Sequence, residues 1–567
     1  MHDLVVRAGN VVDGTGAPGR TADVAIDDGI ITAVGDVPDA GRREIDADGA
    51  LVAPGWVDIH THYDGQVTWD GELAPSSHHG VTTVMMGNCG VGFAPVRPGD
   101  EGFLIELMEG VEDIPGSALH EGIDWQWESF PEYLDALAAR PRTVDVGTQL
   151  PHAAVRAYVL GRRAHEYEVT DNEIAEMVDI TRAALAAGAF GFSSSRTFLH
   201  SSKYGLVPGT HSTPDEVIAI AEAVRDSGHG VFQYVSDDLG TGGDEPWLNT
   251  LKQMGCPTTY TLAQTPAQPD AYRRALAEAV RATSAGAPVT PQIPVRPTGM
   301  LYGLQSSFHP FIAHPAFRHY HGATLAEKVA ALSDPAFRDV LLGEAPDSSS
   351  PIAVYMATAW HQIYRLGDPP DYEPPAEASA AATAERAGRS PAEVVLDWLL
   401  ENDGAAFLFS PLGNYHDNDH EAIREMLVHP ATIPGASDGG AHCGLICDAS
   451  FPTYLLTHWA RDRRRGPKLP VEQAVQLQTA NTAATYGMTD RGRLEPGLIA
   501  DVNVIDFDGL HLHGPRMAFD LPAGGRRLLQ DVDGYLHTIK SGEVTFTDGQ
   551  PTGARPGKVL RSTPTNA

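Results

Sequence analysis

Both ends of the chain alternate hydrophobic and polar positions in the way that β-strands do. The stretches with this pattern are residues 4–6, 24–26, 30–34 and 500–508. Residues 537–546 alternate in the same way on either side of Ser541-Gly542, which predicts a hairpin that turns at that pair. Because the two ends share this texture, they predict one small β-domain built from both of them.

Between these ends, short apolar strands alternate with helical stretches. One helix is predicted to begin at Thr170, because Thr170 and Glu173 have the spacing of a capping box, and to end before Gly188. The other elements predicted nearby are a strand at 189–192, a helix from Pro214 to near Gly228 and a strand at 230–234. Repeated units of this kind imply parallel strands.

The fold class favoured by these patterns is α/β, a (β/α)8 barrel of the TIM type with a small β-sandwich formed by both chain ends. The predicted domains are 1–53 for the first part of the sandwich, 54–486 for the barrel, and 487–567 for the rest of the sandwich and a tail. Residues 298–400 are predicted to be an insertion on the barrel, because they combine helices with a Pro/Ala-rich loop and show no strand rhythm.

The clearest candidate site lies in GWVDIHTHYD, at the end of the first predicted barrel strand. Alternate strand residues share a face, so Asp58, His60 and His62 point one way. If the apolar Val57 and Ile59 face outer helices, the two histidines lie inside at the carboxyl ends of the strands, where active sites of such barrels are found. Two imidazoles at this spacing can bind one metal ion. A pair of hydrogen-bonded histidines in a polar pocket is the alternative.

Composition narrows the range of partners. Among 567 residues, 40 Lys plus Arg stand against 74 Asp plus Glu, a net charge of -34. This charge argues against nucleic acid and anionic membranes as partners. The N-terminus lacks signal-peptide features and no apolar run is long enough to span a membrane, so we expect a soluble cytoplasmic protein. Four cysteines are too few for disulfides to organise a chain of this length, so each is expected to be a buried core residue or a metal ligand.

Two motifs match well-known patterns by sequence alone. The glycines of GTGAPG, at 14–19, fit a dinucleotide-binding loop, but a strand pattern follows where that loop needs a helix. Ser437, in GASDG, fits the elbow of a serine hydrolase, but GGAHCG after it is a poor helix start. We therefore expect neither a dinucleotide cofactor nor a serine nucleophile.

Several longer segments resemble one family. APGWVDIHTHYD resembles the first barrel strand of the amidohydrolase superfamily, and GVTTVMMGNCGVGFAP with WESFPEYLDALAARP is similar to its D-aminoacylase (N-acyl-D-amino-acid deacylase) branch. ASDGGAH and NTAATYGMTDRGRLEPGLIADVNVID are similar as well, so the resemblance spans residues 1 to about 510. It implies a barrel with a β-sandwich and metal-dependent hydrolysis of an amide C–N bond.

The resemblance also implies a ligand set. His60 and His62 match metal ligands of the family, Cys89 matches the cysteine that binds metal in D-aminoacylases, and Asp438 matches the aspartate of the last barrel strand. Asp438 is then both a ligand and the general base. A small buried cysteine and an N-cap aspartate are the bland alternatives. The expected cofactor is zinc, one ion rather than two, with another divalent metal as an alternative.

The chain departs from the family where the substrate is concerned. The fifth and sixth strands lack the two further histidine ligands, and Tyr234 stands where the first would be, which makes Tyr234 a candidate for stabilising an oxyanion. Gln264 stands at the position of the lysine that clamps the substrate carboxylate, and no arginine follows Asp438 before Arg461. Since a buried carboxylate without a cation is costly, a free N-acyl amino acid is in doubt as substrate.

Three further residues are candidates for contact with the substrate. Arg296 is a possible anion binder, with a surface position as the alternative. His152 resembles a histidine of the family's Gly-His segment, or else it begins a helix; His442 follows Asp438 by four residues. The pair Cys443 and Cys447 is weak evidence for zinc, because no second Cys/His pair lies nearby.

The sequence therefore predicts a metal-dependent amidohydrolase that acts on a small amide and resembles N-acyl-D-amino-acid deacylases, with homo-oligomerisation possible. The first alternative keeps the fold and metal but acts on a neutral amide, formamide, carbamate or cyclic amide. The second is a non-catalytic scaffold with an amidohydrolase fold. Retention of the four candidate ligands His60, His62, Cys89 and Asp438 argues against the scaffold.

Overall fold

A computed structural model describes residues 1–237, 239, 250–251, 253–347 and 351–564, with the side chains of 351–353 left out. Residues 348–350 of the predicted insertion and 565–567 of the predicted tail lie outside the described residues. The described part is a mixed α/β protein. None of its helices is both long enough and apolar enough to cross a membrane.

The strands are β1 (His2–Val11), β2 (Arg20–Asp27), β3 (Ile30–Gly35), β4 (Gly41–Asp46), β5 (Leu51–Pro54), β6 (Trp56–Asp58), β7 (Val81–Met86), β8 (Asp145–Thr148), β9 (Leu150–Pro151), β10 (Gly191–Arg196), β11 (Ser201–Ser202), β12 (Gly205–Leu206), β13 (Val231–Ser236), β14 (Thr258–Thr261), β15 (Val289–Ile293), β16 (Gly299–Tyr302), β17 (Tyr364–Arg365), β18 (Leu408–Pro411), β19 (Ile433–Pro434), β20 (Val502–Ile505), β21 (His511–Leu521), β22 (Gly525–Asp533), β23 (Tyr535–Lys540), β24 (Glu543–Thr547) and β25 (Gln550–Pro551).

The helices are α1 (Glu101–Glu112), α2 (Gly116–Gly122), α3 (Phe130–Ala138), α4 (His152–Leu160), α5 (Asp171–Ala187), α6 (Pro214–Asp226), α7 (Ala271–Ser284), α8 (Leu325–Ser333), α9 (Pro335–Gly343), α10 (Pro351–Thr358), α11 (Ala380–Ala387), α12 (Pro391–Leu399), α13 (Glu421–Leu427), α14 (Phe451–Tyr454), α15 (Val471–Gln476) and α16 (Thr482–Thr485). Two π-helical segments, Leu455–Asp462 and Leu477–Asn481, continue α14 and α15.

The two chain ends meet in one nine-stranded sheet. Its strand order is β25-β24-β23-β20-β5-β1-β2-β3, with β4 paired to β1. The ends join where β20 runs antiparallel to β5, with Val502 opposite Pro54 and Val504 opposite Val52. The hairpin between β23 and β24 turns at Ser541-Gly542 as predicted.

The middle of the chain supplies parallel strands. One parallel sheet has the order β6-β7-β8 and the other β19-β15-β14-β13-β10-β9. Only Gln149 separates β8 from β9, and Thr61, just after β6, pairs in parallel with Gly439, just after β19. The two parallel sheets are therefore adjacent at β8 and β9 and at Thr61 and Gly439, and the segments that follow β19, β6 and β7 lie side by side.

The helix predicted from the capping box is confirmed. Thr170 and Glu173 cap α5 reciprocally, and Gly188 ends it in the left-handed region at φ 106°. The next strand begins at Gly191 rather than 189, because the N–H of Ala189 still donates to the carbonyl of Ala184 at the helix end. The helix predicted at Pro214 is also confirmed and ends at Asp226.

The expectation that residues 298–400 lack strands is wrong. A three-stranded antiparallel sheet of order β16-β18-β17 frames this segment, with Tyr302 opposite Leu408. Many of its apolar residues form a separate cluster that includes Leu304 and Phe317, while others, such as Tyr372, belong to the main core. The segment returns to the parallel strands only after Pro411.

The two-stranded sheet β21-β22 was not predicted from the sequence. It is a long antiparallel hairpin with Met517 opposite Leu528. The N–H of Leu528 donates to the carbonyl of Cys443, 2.7 Å away. The hairpin therefore packs directly against the loop that follows Asp438.

Candidate metal centre

The segment that carries the two histidines leaves its strand at Asp58 and is held between its neighbours. The N–H of Thr61 donates to the Met85 carbonyl at 3.0 Å, and the N–H of His62 donates to the Gly439 carbonyl at 2.8 Å. Both histidines are 1% exposed. The backbone is thus fixed from both sides, and the two imidazoles are directed into the interior.

The structure brings the predicted ligand residues together. Nε2 of His60 lies 3.2 Å from Sγ of Cys89. One ligand atom from each of His60, His62 and Cys89 lies within 4.8 Å of the other two. Tetrahedral zinc with bonds of about 2.0–2.1 Å to nitrogen holds its ligand atoms about 3.3 Å apart, so the spacing suits such an ion.

Asp438 adjoins this cluster. Its Oδ1 lies 3.4 Å from Nε2 of His60 and 3.6 Å from Nε2 of His62. Its Oδ2 lies 3.7 Å from Nε2 of His442. Asp438 therefore presents one oxygen to the two candidate ligands and the other toward His442, which the sequence had placed near the substrate.

Contacts behind the cluster favour metal binding by His60. Nδ1 of His60 contacts Oε1 of Gln292 on β15 at 2.8 Å. An amide oxygen accepts, so Nδ1 carries the proton and the lone pair of Nε2 faces Cys89 and Asp438. Cys89 is held in turn, because its N–H donates to Oε1 of Gln233 on β13 at 3.1 Å.

The surroundings of His62 fit a role as a metal ligand. Both of its ring nitrogens are buried without a hydrogen-bond partner among the described residues. Its Nδ1 lies 3.4 Å from Oε1 of Glu112, which is itself buried without a hydrogen-bond partner in the same described part. Since buried polar atoms are normally satisfied, the unpartnered Nε2 fits a bound cation, and Nδ1 fits a proton directed at Glu112.

Three residues of the cluster adopt positive φ. Cys89 has φ 55°, Asp438 φ 49° and His442 φ 52°. This region is uncommon for residues other than glycine and persists where the surroundings impose it. Such backbone conformations concentrate at functional sites, which supports the assignment of this cluster as the functional centre.

The charges of the cluster depend on one another. Burial opposes ionisation of Asp438, but His62, His60 and His442 hold its pKa well below the usual range. Burial also opposes protonation of His62, but Glu112 and Asp438 raise its pKa well above the usual value. Burial lowers the pKa of His60 to about 4. Asp438 is therefore ionised and His60 is neutral, the forms in which each residue binds metal. Burial raises the pKa of the Cys89 thiol to about 12, so binding of a metal ion displaces a proton from Cys89 and from His62.

Glu112 was not predicted as a site residue. It ends α1, is 2% exposed, and its Oε2 lies 3.6 Å from Nε2 of His442. A carboxylate in the last turn of a helix opposes the helix dipole. The unfavourable position of Glu112 in GVEDIPG was the feature of the sequence that could have indicated a functional role. His200 was missed as well: burial lowers its pKa to about 3, and the nearby His62 and His442 contribute to this shift.

The prediction that Tyr234 faces the site is wrong. Within β13 it is the neighbouring Gln233 that reaches Cys89, so Tyr234 lies on the opposite face. Its ring packs against Phe232 and against Tyr260, 5.3 Å away between centroids. The hydroxyl of Tyr260 donates to the Ala275 carbonyl of α7, which identifies this face as the outer, helix-packed one.

The prediction that Arg296 contacts substrate is corrected too. Arg296 is 1% exposed, so it is not a surface residue either. Its Nε and Nη2 donate to Oδ1 of Asp448 at 3.0 and 2.7 Å. The guanidinium also lies 3.9 Å from the ring centroid of Tyr372. Arg296 therefore forms an internal ion pair with Asp448, which neutralises its charge.

His152 is not available to a substrate. It is the first residue of α4, and both of its nitrogens are engaged. Nδ1 contacts Oγ of Ser194 at 2.9 Å, and Nε2 contacts Oε1 of Glu216 at 2.7 Å. Because the side chain is fully buried in these contacts, the helix-start alternative describes it correctly.

The two rejected motifs have structural roles. Gly14 to Gly19 are followed by the strand β2 and not by a helix. Oγ of Ser437 donates to Oδ2 of Asp58 at 2.6 Å and to the His60 carbonyl at 2.9 Å, so it braces the histidine segment. Gln264 is engaged with the 414–417 loop, where its Oε1 accepts from the N–H of His416 at 3.2 Å.

Comparison with known proteins finds relatives that are amidohydrolases, in agreement with the metal-binding residues of the candidate site. The sequence model of the amidohydrolase family matches residues 43–546. D-aminoacylase of Alcaligenes xylosoxydans xylosoxydans is 27% identical over 513 residues, covering 89% of this chain and 88% of that protein. N-acyl-D-aspartate deacylase of the same organism is 25% identical over 571 residues, covering 98% of this chain and 95% of that protein.

A solved structure of a deacylase is similar to this chain as well. N-acyl-D-glutamate deacylase from Bordetella bronchiseptica, complexed with zinc and a phosphonate inhibitor, matches with a TM-score of 0.65 and 25% identity. The match covers 99% of this chain and 100% of that one.

A nitrogen, sulfur and carboxylate donor set at the ends of parallel strands is typical of metal-dependent hydrolases. The family match extends over most of the sequence, so the chain belongs to the amidohydrolase family. It is an enzyme that hydrolyses C–N bonds other than peptide bonds, and it resembles the N-acyl-D-amino-acid deacylases.

Proposed function

We propose that the enzyme hydrolyses an N-acyl amide with one zinc ion held by His60, His62 and Cys89, and that Asp438 is both a fourth ligand and the general base. The observation that carries the proposal is the approach of one Asp438 oxygen to both histidines, at 3.4 and 3.6 Å. When bound, zinc supplies Lewis-acid polarisation of the amide carbonyl and makes water more acidic.

The remaining steps fall to the residues of the chain. Asp438 is ionised and therefore accepts the proton of the attacking water, then returns it to the leaving nitrogen. His442 lies 3.7 Å from the second oxygen of Asp438 and orients that carboxylate. With Tyr234 on the outer face, His442 is the better candidate for contact with the substrate carbonyl.

Glu112 is proposed to position His62. A carboxylate behind a metal-binding histidine fixes the orientation of the ring, and removing it typically lowers metal affinity 10- to 100-fold. Glu112 approaches Nδ1 of His62 at 3.4 Å, while Nε2 faces Asp438. This arrangement assigns Nε2 as the ligand atom of His62.

Glu112→Gln is accordingly expected to weaken zinc binding about 10- to 100-fold, measured by competition with a chromogenic chelator. Glu109→Gln is the matched control, because Glu109 lies on the same helix and accepts from the N–H of Gly116 instead. Equal zinc affinity of Glu112→Gln and the unchanged protein would show that Glu112 does not position His62.

A second candidate substrate class lacks a free carboxylate. Arg296 is neutralised by Asp448, and Arg527, which lines a small cavity with Asp438, is paired to Asp520 at 2.8 and 2.9 Å. A buried carboxylate needs a cation that is not already paired. These ion pairs favour a neutral amide, formamide, carbamate or cyclic amide.

Matched N-acetyl-D-amino acids and their carboxamides separate the two classes. An unpaired cation in the site would make kcat/KM higher for the free acid by about 10- to 100-fold, the value of a hydrogen bond to a charged group. Since both arginines are paired, we expect the carboxamides to be hydrolysed at least as fast as the acids. A preference for the acid of that size would assign the enzyme to free N-acyl amino acids.

We also infer that the parallel strands close into a (β/α)8 barrel over 54–486 and that residues 1–53 and 487–567 form a β-sandwich. The adjacency of β8 and β9 and the bridge between Thr61 and Gly439 support closure. The separate apolar cluster of the 302–408 region supports an insertion, extended from 298–400 to about 411 by the pairing of β16 with β18.

A further inference from the structure

A second group of metal-binding side chains lies apart from the catalytic cluster and shares no residue with it. It consists of Glu373, His420 and His458, each of which offers one ligand atom within 4.8 Å of the others. Glu373 and His420 are buried, and the side chain of His458 is 17% exposed. The group therefore has one edge from which an ion and water can enter.

The three facing atoms are spaced as ligands of one ion. Nε2 of His458 lies 3.2 Å from Oε2 of Glu373 and 3.3 Å from Nδ1 of His420. Nδ1 of His420 lies 3.8 Å from the same Glu373 oxygen. Zinc with bonds of about 2.0–2.1 Å requires separations of about 3.3 Å, so two pairs already have this value.

The protonation of His420 is fixed by its other nitrogen. Nε2 of His420 donates to the carbonyl of Tyr372 at 2.9 Å, so Nδ1 presents a lone pair to the group. Nε2 of His458 then faces two acceptors, Nδ1 of His420 and the Glu373 carboxylate, with one proton at most. A bound cation satisfies all three atoms at once.

One oxygen of Glu373 is directed at the two histidines. Arg463 donates to Glu373 at 3.0 and 3.3 Å, and the same guanidinium donates to Glu421 at 2.9 Å. Glu421 also accepts from Nε of Arg424 at 2.8 Å, so two guanidinium groups balance the two carboxylates. Binding of an ion therefore depends on the lone pairs of the three facing atoms and not on an excess of negative charge. The N–H of His420 also donates to Oε1 of Glu373, and this bond holds the oxygen away so that Oε2 faces the histidines.

The backbone at His458 is unusual. Residues Leu455–Asp462 are π-helical, a conformation that is rare and frequently found at functional sites. The ring of His458 stacks on that of Tyr454, with centroids 4.6 Å apart and planes 8° apart. The widened turn and the stacked tyrosine together direct Nε2 of His458 toward Glu373.

We propose that Glu373, His420 and His458 form a second metal site of the zinc type, with water as the fourth ligand. Glu373 belongs to the inserted unit, His420 precedes α13, and His458 follows the last parallel strand. An ion at this site ties the insertion to the helices around the parallel strands. The proposal does not depend on the proposed function of the catalytic cluster.

Zinc content of the full-length protein tests the site. After dialysis against zinc and removal of the excess, we expect about two ions per chain, and about one in a protein with His60→Asn and His62→Asn. Adding Glu373→Gln or His420→Asn to that protein is expected to remove the remaining ion. Glu373→Gln keeps the volume of the side chain and can still accept from Arg463, so it guards against loss through misfolding.

The control is His513→Asn, which alters a histidine of the more exposed group Asp368, His511 and His513 and is expected to leave the zinc content unchanged. Zinc added to the stripped protein lacking His60 and His62 should also raise its Tm by about 2 °C, because it binds the folded state. The proposal is overturned if that protein binds no zinc, or if its zinc survives Glu373→Gln and His420→Asn. If only the proposed catalytic zinc site were wrong, the unchanged protein and the variant with His60→Asn and His62→Asn would contain the same amount of zinc.

Discussion

Asp438→Asn is expected to lower kcat by about 10²- to 10⁴-fold, the usual contribution of a general acid and base, while most of the zinc stays bound. The amide oxygen of asparagine can still face His60 and His62, which Oδ1 of Asp438 approaches at 3.4 and 3.6 Å. It cannot accept a proton from water. The measurements are kcat on an N-acyl amide and zinc content of the same sample.

Ser437→Ala is the matched control for that variant. Ser437 is the residue before Asp438 and stands in the sequence pattern of a serine nucleophile, but its hydroxyl donates to Asp58 and to the backbone of His60. We expect this variant to keep kcat within about tenfold, the cost of one hydrogen bond. Full activity of Asp438→Asn would refute Asp438 as the base, and a larger loss in Ser437→Ala than in Asp438→Asn would restore the serine mechanism.

Removal of zinc with a chelator is expected to lower turnover by about 10³-fold or more, because the Lewis acid contributes several kcal/mol to the transition state. Zinc added back to the metal-free protein should restore its turnover. A variant with His60→Asn and His62→Asn should not recover, since Nε2 of each histidine faces the other candidate ligands. Activity is followed as metal is titrated into both proteins.

The chain contains its own control for this experiment. His511 and His513 have the same spacing of two residues on strand β21, but they lie half-buried on the β21-β22 hairpin and outside the catalytic cluster. Replacing both with asparagine is expected to leave zinc-dependent turnover unchanged. Recovery of His60→Asn with His62→Asn by added zinc would place the functional ion elsewhere.

The proximity of the four candidate ligands was predictable from two sources. His60 and His62 have the two-residue spacing at the end of a strand, whereas Cys89 and Asp438 were identified by resemblance to the family. Cys89 and Asp438 also follow parallel strands by a few residues, and parallel strands place their carboxyl ends at one edge. The capping box at Thr170 was readable from local spacing, since it depends on residues three apart.

The errors concern properties that the local pattern does not contain. In Val231–Ser236 the first four residues are all buried, so nothing in the alternation of the sequence tells which face Gln233 and Tyr234 take. Arg296 is neutralised by Asp448, a residue 152 positions away. Glu112 likewise reaches His62 from the end of a helix that the sequence does not link to the first strand.

The four side chains proposed as ligands follow β6, β7 and β19, which are neighbours through the pairing of β6 with β7 and the bridge between Thr61 and Gly439. The segments that follow β10, β13, β14 and β15 supply none of these four side chains. Mutations in those segments can alter the shape and charge of the substrate pocket while the chemistry persists. A change of amide substrate is therefore expected to need substitutions in these segments and not in the four proposed ligands.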